Sequence, residues 1–413
     1  MSRASDAIDQ QRLWDRHMAI ARHGATGRGG VNRQALTEDD GKARAELAGW
    51  AAARGLTLHV DEAANLYVRR DGTEPGAPPV MSGSHLDTQP AGGNFDGVYG
   101  VLAAFEVLEA LEDAGLAHKR PIEAVVWTNE EGCRYAPGCT GSLVFSGKHR
   151  IEEFLDNTAP DGAVMRDDLA RTIAATPQAV HRKSGGPVAG YIETHIEQGP
   201  RLEAAGLTIG AVTGIQGGSS FEVVVTGEDG HAGTVPLGQR RDAFRSAMAM
   251  IDALYAATAD PDDTTRFTVG RFQAYPGSPN TIPGEVRFTI DFRHPDAAYF
   301  AAMVDRIAGI CEAHAGPCAV QVSRRHVGPP ADFDDNVIAA IERIAGELAI
   351  PAMRMSSGAD HDAKMMVPLC PTGMIFVPCA SGISHNEAEM ADAADLAAGA
   401  RVLADALVCM ANA

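Results

Sequence analysis

Two apolar runs in this chain stop abruptly at residues that can bind a metal or move a proton. Val80–Ser84 runs into His85, and Ile122–Thr128 runs into Asn129, Glu130 and Glu131. The second run is almost unbroken, as a strand is when helices cover both faces of its sheet. Between the two, Val98–Leu111 reads as an apolar-rich helix that starts right after Asp96 and Gly97. Leu56–Val60 and Asn65–Arg69 read as shorter strands upstream. This alternation of strand, loop and helix restricts the chain to an α/β layer fold. Such open sheets bind ligands beyond the carboxyl ends of their strands, which is where these polar residues lie.

The remaining pattern divides the chain. About the first 55 residues read as helical, with Thr37 and Asp40 as a capping-box-like start and Ala43, Leu47 and Trp50 on one face. Further on, Ser220–Thr226 alternates as a strand, Arg240–Ala257 reads as a helix, and Phe267–Phe272 and Glu285–Phe292 as strands. Ala297–Ala315 is a helix and Ala319–Ser323 a short strand. The order β-α-β-β-α-β fits a split βαβ, ferredoxin-like unit. It is placed at residues 212–327 as an insertion, with 1–211 and 328–413 forming the larger domain. The chain returns through a helix at Asn336–Ala349 and ends in one at Ala391–Met410.

Charge and cysteine usage exclude several classes. The formal net charge of −19 argues against nucleic acid and anionic membrane as partners, because both are polyanions. The seven cysteines are odd in number and lack CxxC spacing, so neither a disulfide framework nor a structural zinc ribbon is expected. The N-terminus has no apolar signal region, and no apolar stretch reaches the ~20 residues that span a bilayer. A reducing, cytoplasmic setting is the expectation. Cys133, beside Glu131, either lines a site or is a small buried residue.

The chemistry-bearing residues form a constellation of imidazoles and carboxylates without thiolate, a donor set suited to zinc, manganese, cobalt or nickel. His85 and Asp87 share one side of an extended segment, so His85 can take a metal while Asp87 accepts the other ring N–H. The glycines at 92, 93 and 97 let the backbone bring Asp96 close; an N-cap role for Asp96 is compatible with this. Glu130 and Glu131 repel each other unless a cation or a shared proton intervenes. A metal on Glu131 and a water facing Glu130 as base would satisfy both. His195 and His385 each follow an apolar run, and their flanks fit a core histidine as well as a ligand.

Seven segments carry a resemblance: GSHLDTQPAGGNFDG (Gly83–Gly97), TNEEGCRY (Thr128–Tyr135), THIEQGP (Thr194–Pro200), GHAGTVPLGQRRD (Gly230–Asp242), SPNTIPGEVRFTIDFRHP (Ser278–Pro295), SSGADHDA (Ser356–Ala363) and PCASGISHNEAE (Pro378–Glu389). Over residues 10–410 the chain resembles the M20 metallopeptidase-like amidohydrolases, in particular the N-carbamoyl-L-amino-acid hydrolase, β-ureidopropionase and allantoate amidohydrolase branch. The resemblance implies a zinc-aminopeptidase-like catalytic domain with a mixed central sheet. It implies that the inserted ferredoxin-like domain forms a homodimer and closes over the site as a lid.

It also implies two divalent metal ions (Zn, or Mn, Co or Ni), with His85 and His195 on different metals, Asp96 bridging, and Glu131 and His385 completing the set. Glu130 is then the general base. His231 reaches the neighbouring protomer's site and helps stabilise the oxyanion. Gln198, Asn280 and Arg293 contact the substrate, and the turn at Ser357, Gly358 and Ala359 offers it backbone N–H groups. Arg293 has its own logic, since a guanidinium grips a carboxylate with two parallel bonds; a salt bridge with Asp291 or Asp296 is the ordinary alternative. Asp360 departs from the family, which usually has Gly there, and puts substrate identity in question. The implied reaction is hydrolysis of a ureido C–N bond in a small ureido acid, giving amino acid, ammonia and carbon dioxide. Allantoate hydrolysis, or dipeptide or N-acyl cleavage on the same core, stands as the alternative.

Overall fold

The computed structural model of the chain describes residues 3–413. Its contacts divide it into two units: residues up to Thr213 together with Asp332–Ala413, and Gly214–Ala331.

The larger unit is built on a ten-stranded sheet. Its strands are β1 (Thr57–Val60), β2 (Leu66–Arg70), β3 (Val80–His85), β4 (Ile122–Trp127), β5 (Val180–His181), β6 (Gly190–Ile196), β7 (Ile209–Ile215), β8 (Ala331–Asp332), β9 (Ala352–Ser357) and β10 (Thr372–Val377). The order is β8-β7-β10-β6-β3-β4-β2-β1-β5, with β9 paired to β7. The four central strands β10, β6, β3 and β4 run parallel, while β7 and β2 are antiparallel to their central neighbours. Every residue of those four strands is buried, as a sheet covered on both faces requires. The helix Val98–Asp113 supplies much of that cover and is buried from Val98 to Leu111. Among the described residues, no helix is long and apolar enough to cross a membrane.

The N-terminal region is less helical than its composition predicts. Helices occupy Gln10–Ile20 and Glu38–Ala53, with irregular chain between them. Thr37 does cap the second helix through Asp40 N–H, but the box is not closed. The Asp40 carboxylate turns instead to the Leu36 amide and to Arg44, a buried cation that needs a counter-charge.

The smaller unit follows β-α-β-β-α-β order: strand Gly217–Thr226, helix Ala243–Ala257, strands Arg266–Thr268 and Phe272–Tyr275, strand Glu285–His294, helix Ala297–Ala313 and strand Ala319–Gly328. Glu285–His294 and Gly217–Thr226 lie at its centre, and all pairings are antiparallel. The single strand expected at Phe267–Phe272 is two. Thr268 pairs with Asp291 and Phe272 with Phe288, so one extra residue loops out around Gly270. A core of Phe221, Val223, Val225, Phe288, Ile290 and Phe292 under Met250, Leu254 and Ile307 gives this unit its own packed interior.

Candidate functional site

Because β4, β3, β6 and β10 are parallel neighbours, their carboxyl ends deliver side chains to one edge of the sheet. His85 ends β3, Glu130 and Glu131 follow β4, His195 is the penultimate residue of β6, and His385 lies in the loop after β10. Asp96 precedes the helix Val98–Asp113. That helix is capped by Gly97 with no side-chain bond, which leaves the Asp96 carboxylate to the site. Gly97 sits at φ +65, and a Cβ there would lie 2.3 Å from the His85 ring. Only glycine allows both the turn and that approach.

Asp96 is the junction. Its Oδ1 lies 3.2 Å from His195 Nε2 and 3.8 Å from His85 Nε2, and its Oδ2 lies 3.3 Å from His385 Nε2. His385 Nε2 is also 3.5 Å from Glu131 Oε2. Two groups of candidate ligands result: His85, Asp96 and His195, and Asp96, Glu131 and His385. The expected division of His85 and His195 between two metals is therefore corrected. Both extend from adjacent parallel strands toward the same oxygen of Asp96, and their rings lie 6.1 Å apart.

The donor chemistry fits divalent cations. His85 Nδ1 meets the Asp87 carbonyl oxygen at 2.8 Å and His195 Nδ1 that of Ile196 at 2.9 Å. Each Nδ1 therefore carries the proton, and each Nε2 turns a lone pair toward Asp96. Gly97 N–H donates to His195 Nε2 at 3.0 Å, in keeping with that tautomer. Lone pairs and a carboxylate facing one another call for positive charge between them. Two ligands about 2.1 Å from one tetrahedral ion stand about 3.4 Å apart, within the range of the separations found here.

Charge in the cluster points the same way. Burial, then the charge of Asp96, pushes Glu131 up to about 8. Burial, then Asp362 and Glu131, holds Glu130 well above the usual carboxylate range. His195 is raised to about 9: burial is the largest single effect and opposes its charge, but a bond to Asp96, the charges of Asp96 and Glu193 and the Ile196 carbonyl together outweigh it, so Nε2 favours a positive charge beside it, which a cation supplies in place of a proton. Cys133 is pushed up to about 12, by burial first and then by Asp87 and Glu131, so it stays a thiol and adds no thiolate ligand.

Asp87 has a different task from the one expected. Its carbonyl, not its carboxylate, meets His85 Nδ1; the carboxylate accepts the Glu130 and Glu131 amides at 3.3 and 3.2 Å. It thereby fixes the loop that carries both acids. Glu130 Oε2 stands 3.4 Å from His85 Nε2. Gln198, at φ +56, donates from Nε2 to Asp96 Oδ2 at 2.8 Å and to Ser384 Oγ at 3.1 Å, while its buried Oε1 has no partner among the described residues. Ala359 N–H is engaged with Ser357 Oγ at 3.1 Å, and Gly358 lies exposed beside it.

The other three expected residues belong to the smaller unit. The short pairing of Gly230–His231 with Thr281–Ile282 brings His231 and Asn280 together; Asn280 C=O accepts the Ala232 amide at 3.0 Å. Both side chains are exposed, and Gly233 N–H orients the His231 ring through Nδ1 at 3.0 Å. Arg293, near the end of Glu285–His294, donates from Nε to Asp291 Oδ1 at 2.8 Å.

Sequence reasoning missed several participants. Glu389 accepts the Phe95 and Asp96 amides at 2.9 and 3.1 Å, and its other oxygen lies 3.1 Å from Ser384 Oγ, tying the Asp96 loop to the His385 loop. The single Ser384 proton goes to the nearer acceptor, Asp96 Oδ2 at 2.8 Å. Gln89 holds Glu131 at 2.6 Å. Buried Glu193 lies two residues before His195, so the two-residue strand period was a usable signal. His361 packs on His195 with rings 4.5 Å apart, and its place between Asp360 and Asp362 was the available signal.

Comparison with known proteins places this arrangement. The profile of peptidase family M20/M25/M40 matches residues 81–408. The chain is 38% identical over 405 residues to an N-carbamoyl-L-amino-acid amidohydrolase of Rhizobium meliloti, covering 97% of this chain and 96% of that one. It is 31% identical to the allantoate amidohydrolase of Escherichia coli K12, with 96% of each chain covered. Among solved structures, an amidase of the hydantoinase/carbamoylase family from Burkholderia multivorans superposes with a TM-score of 0.92 at 41% identity, covering 98% of each chain.

Proposed function

This chain belongs to peptidase family M20/M25/M40, and from that membership we propose that it hydrolyses the carbamoyl C–N bond of N-carbamoyl-L-amino acids. The observation that carries the hydrolytic reading is Asp96, with one oxygen facing His85 and His195, the other facing His385, and Glu130 alongside. The relatives' names carry the substrate class.

His85, Asp96 and His195 would hold one divalent ion, and Asp96, Glu131 and His385 a second. When bound, such ions acidify water and offset negative charge that develops on a carbonyl oxygen. Glu130 takes the proton of the attacking water and returns it to the leaving nitrogen. The amino acid departs, and the carbamic acid left behind breaks down to ammonia and carbon dioxide. Asp87 keeps Glu130 in place through its amide, and Gln198, Ser384 and Glu389 keep Asp96 from turning. The unpartnered Gln198 Oε1 is an acceptor for a substrate N–H.

In this proposal Arg293 and Asn280 grip the substrate carboxylate, so orientation comes from a group remote from the bond that breaks. His231 of a neighbouring protomer donates to the oxyanion, and the unit Gly214–Ala331 provides both the dimer contact and the closure that excludes water. The turn at Gly358 and Ala359 borders the substrate.

The test is an amino-acid and ammonia release assay after chelation and reloading with Zn, Mn, Co or Ni. The panel holds N-carbamoyl-L-amino acids, β-ureidopropionate, allantoate and dipeptides. Turnover of the N-carbamoyl-L-amino acids is expected. Turnover of allantoate alone would favour the second reading, which the Escherichia coli relative supports, and overturn the first.

A further inference from the structure

One ion pair next to the site has no part in the reaction above. Lys364 Nζ donates to Asp360 Oδ1 at 2.7 Å; the lysine side chain is 8% exposed and the aspartate 52%. A buried ammonium carries three protons and a large desolvation cost, so its single carboxylate partner is held firmly. The consequence is a carboxylate fixed in one orientation with half its surface open.

The following residues locate the pair. His361 packs on His195, and Asp362 accepts from Ser142 and is the charge that weighs most on Glu130 after burial. Asp360 directly precedes His361 in the chain, two residues before Asp362. Its charge is also felt by the Cys139 thiol, whose Sγ lies 3.6 Å from Glu130 Oε1. A second cation is nearby. Lys148 is exposed, touches the Met365 thioether at 3.5 Å and, among the described residues, has no carboxylate partner. The charges of Lys148 and Lys364 oppose each other.

We propose that Asp360 and Lys364 form a specificity-determining pair for the substrate side chain. The Asp360 carboxylate accepts N–H donors of an amide, ureido or ammonium group and repels an acid. Lys364 holds that carboxylate, and without it Lys364 and Lys148 present the opposite sign. This inference rests on the N-carbamoyl-amino-acid reading.

N-carbamoyl-L-glutamine and N-carbamoyl-L-glutamate test it, since they differ in an amide against a carboxylate at equal reach. The ratio of their kcat/KM values is measured in wild type, Asp360→Asn, Asp360→Ala and Asp360→Ala/Lys364→Met, with thermal unfolding to confirm folding. Like charges brought together cost enough to move such a ratio at least tenfold. Wild type prefers glutamine by about tenfold or more, Asp360→Asn narrows the ratio, Asp360→Ala reverses it, and the double variant brings it back toward unity. A purely structural pair would lower both substrates together. A ratio within about twofold of wild type in both single variants overturns the inference while leaving the proposed function intact. Failure of wild type on every carbamoyl substrate overturns the proposed function, and this inference with it.

Discussion

Glu389→Ala should loosen metal binding without removing a ligand. The buried Glu389 carboxylate holds the Phe95 and Asp96 amides through one oxygen, at 2.9 and 3.1 Å, and its other oxygen lies 3.1 Å from Ser384 Oγ. Burial, then the charge of Asp96, raises Glu389 to about 7, so the comparison is made at pH 8, where the group is a carboxylate. Hydrogen bonds to a charged acceptor are worth about 1.5–3 kcal/mol each, and a buried donor left unmade costs about 1–3 kcal/mol. Water entering the vacated space returns part of this, so a net loss of about 3–4 kcal/mol in stability is expected. Asp96 then loses the anchors on its own amide and on the Ser384 hydroxyl that steadies its Oδ2. Loss of such support around a ligand typically weakens metal affinity 10–100-fold. Glu389→Gln is the control, because its amide oxygen still accepts both backbone N–H groups and its NH2 can donate to Ser384. It should stay within about 1 kcal/mol of wild type. Chelator competition with Zn or Co and denaturant unfolding of the metal-free protein measure the two effects separately. Wild-type metal affinity and stability in Glu389→Ala would refute the reasoning.

Three further outcomes are expected. Glu130→Gln should lower kcat by about 10²–10⁴-fold with metal affinity little changed; full activity would remove Glu130 as base. Gly97→Ala places a Cβ 2.3 Å from the His85 ring at φ +65, so unfolding should show a loss of about 2–4 kcal/mol together with weaker metal binding. His17 is fully buried and its pKa is lowered to about 4, by burial first, with a bond to the Leu13 carbonyl opposing. The unfolded chain therefore binds a proton that the folded one refuses between about pH 6.5 and 4. Stability is complete above that window and falls through it by about 3 kcal/mol. In His17→Phe, denaturant unfolding at pH 7.5 and 5 should show a shallower acid loss.

Much of the catalytic edge was legible because strand-end chemistry leaves local marks. The Val80–Ser84 run is a strand that takes in His85 as its last residue, and Ile122–Trp127 stops one residue early. Glu130, Glu131 and Asp96 were marked by what adjoins them: an apolar strand before the acids, and glycines that let a carboxylate approach. What failed were statements about partners. Asp87 was expected to use its carboxylate on His85 and uses its carbonyl; its carboxylate goes to amides 43 and 44 residues away. Phe267–Phe272 alternates as one strand and is interrupted, because the register along Glu285–His294 needs an extra residue at Gly270.

The sequence alone determined which residues can act and which strands are covered on both faces, since burial periodicity and residue chemistry are written locally. Only tertiary structure decided that His85 and His195 meet the same oxygen of Asp96, that Glu389 couples two loops almost 300 residues apart in sequence, and that Lys364 is neutralised by Asp360. Those outcomes follow from parallel strand order and from the need of buried charge for a partner, whichever part of the chain supplies it.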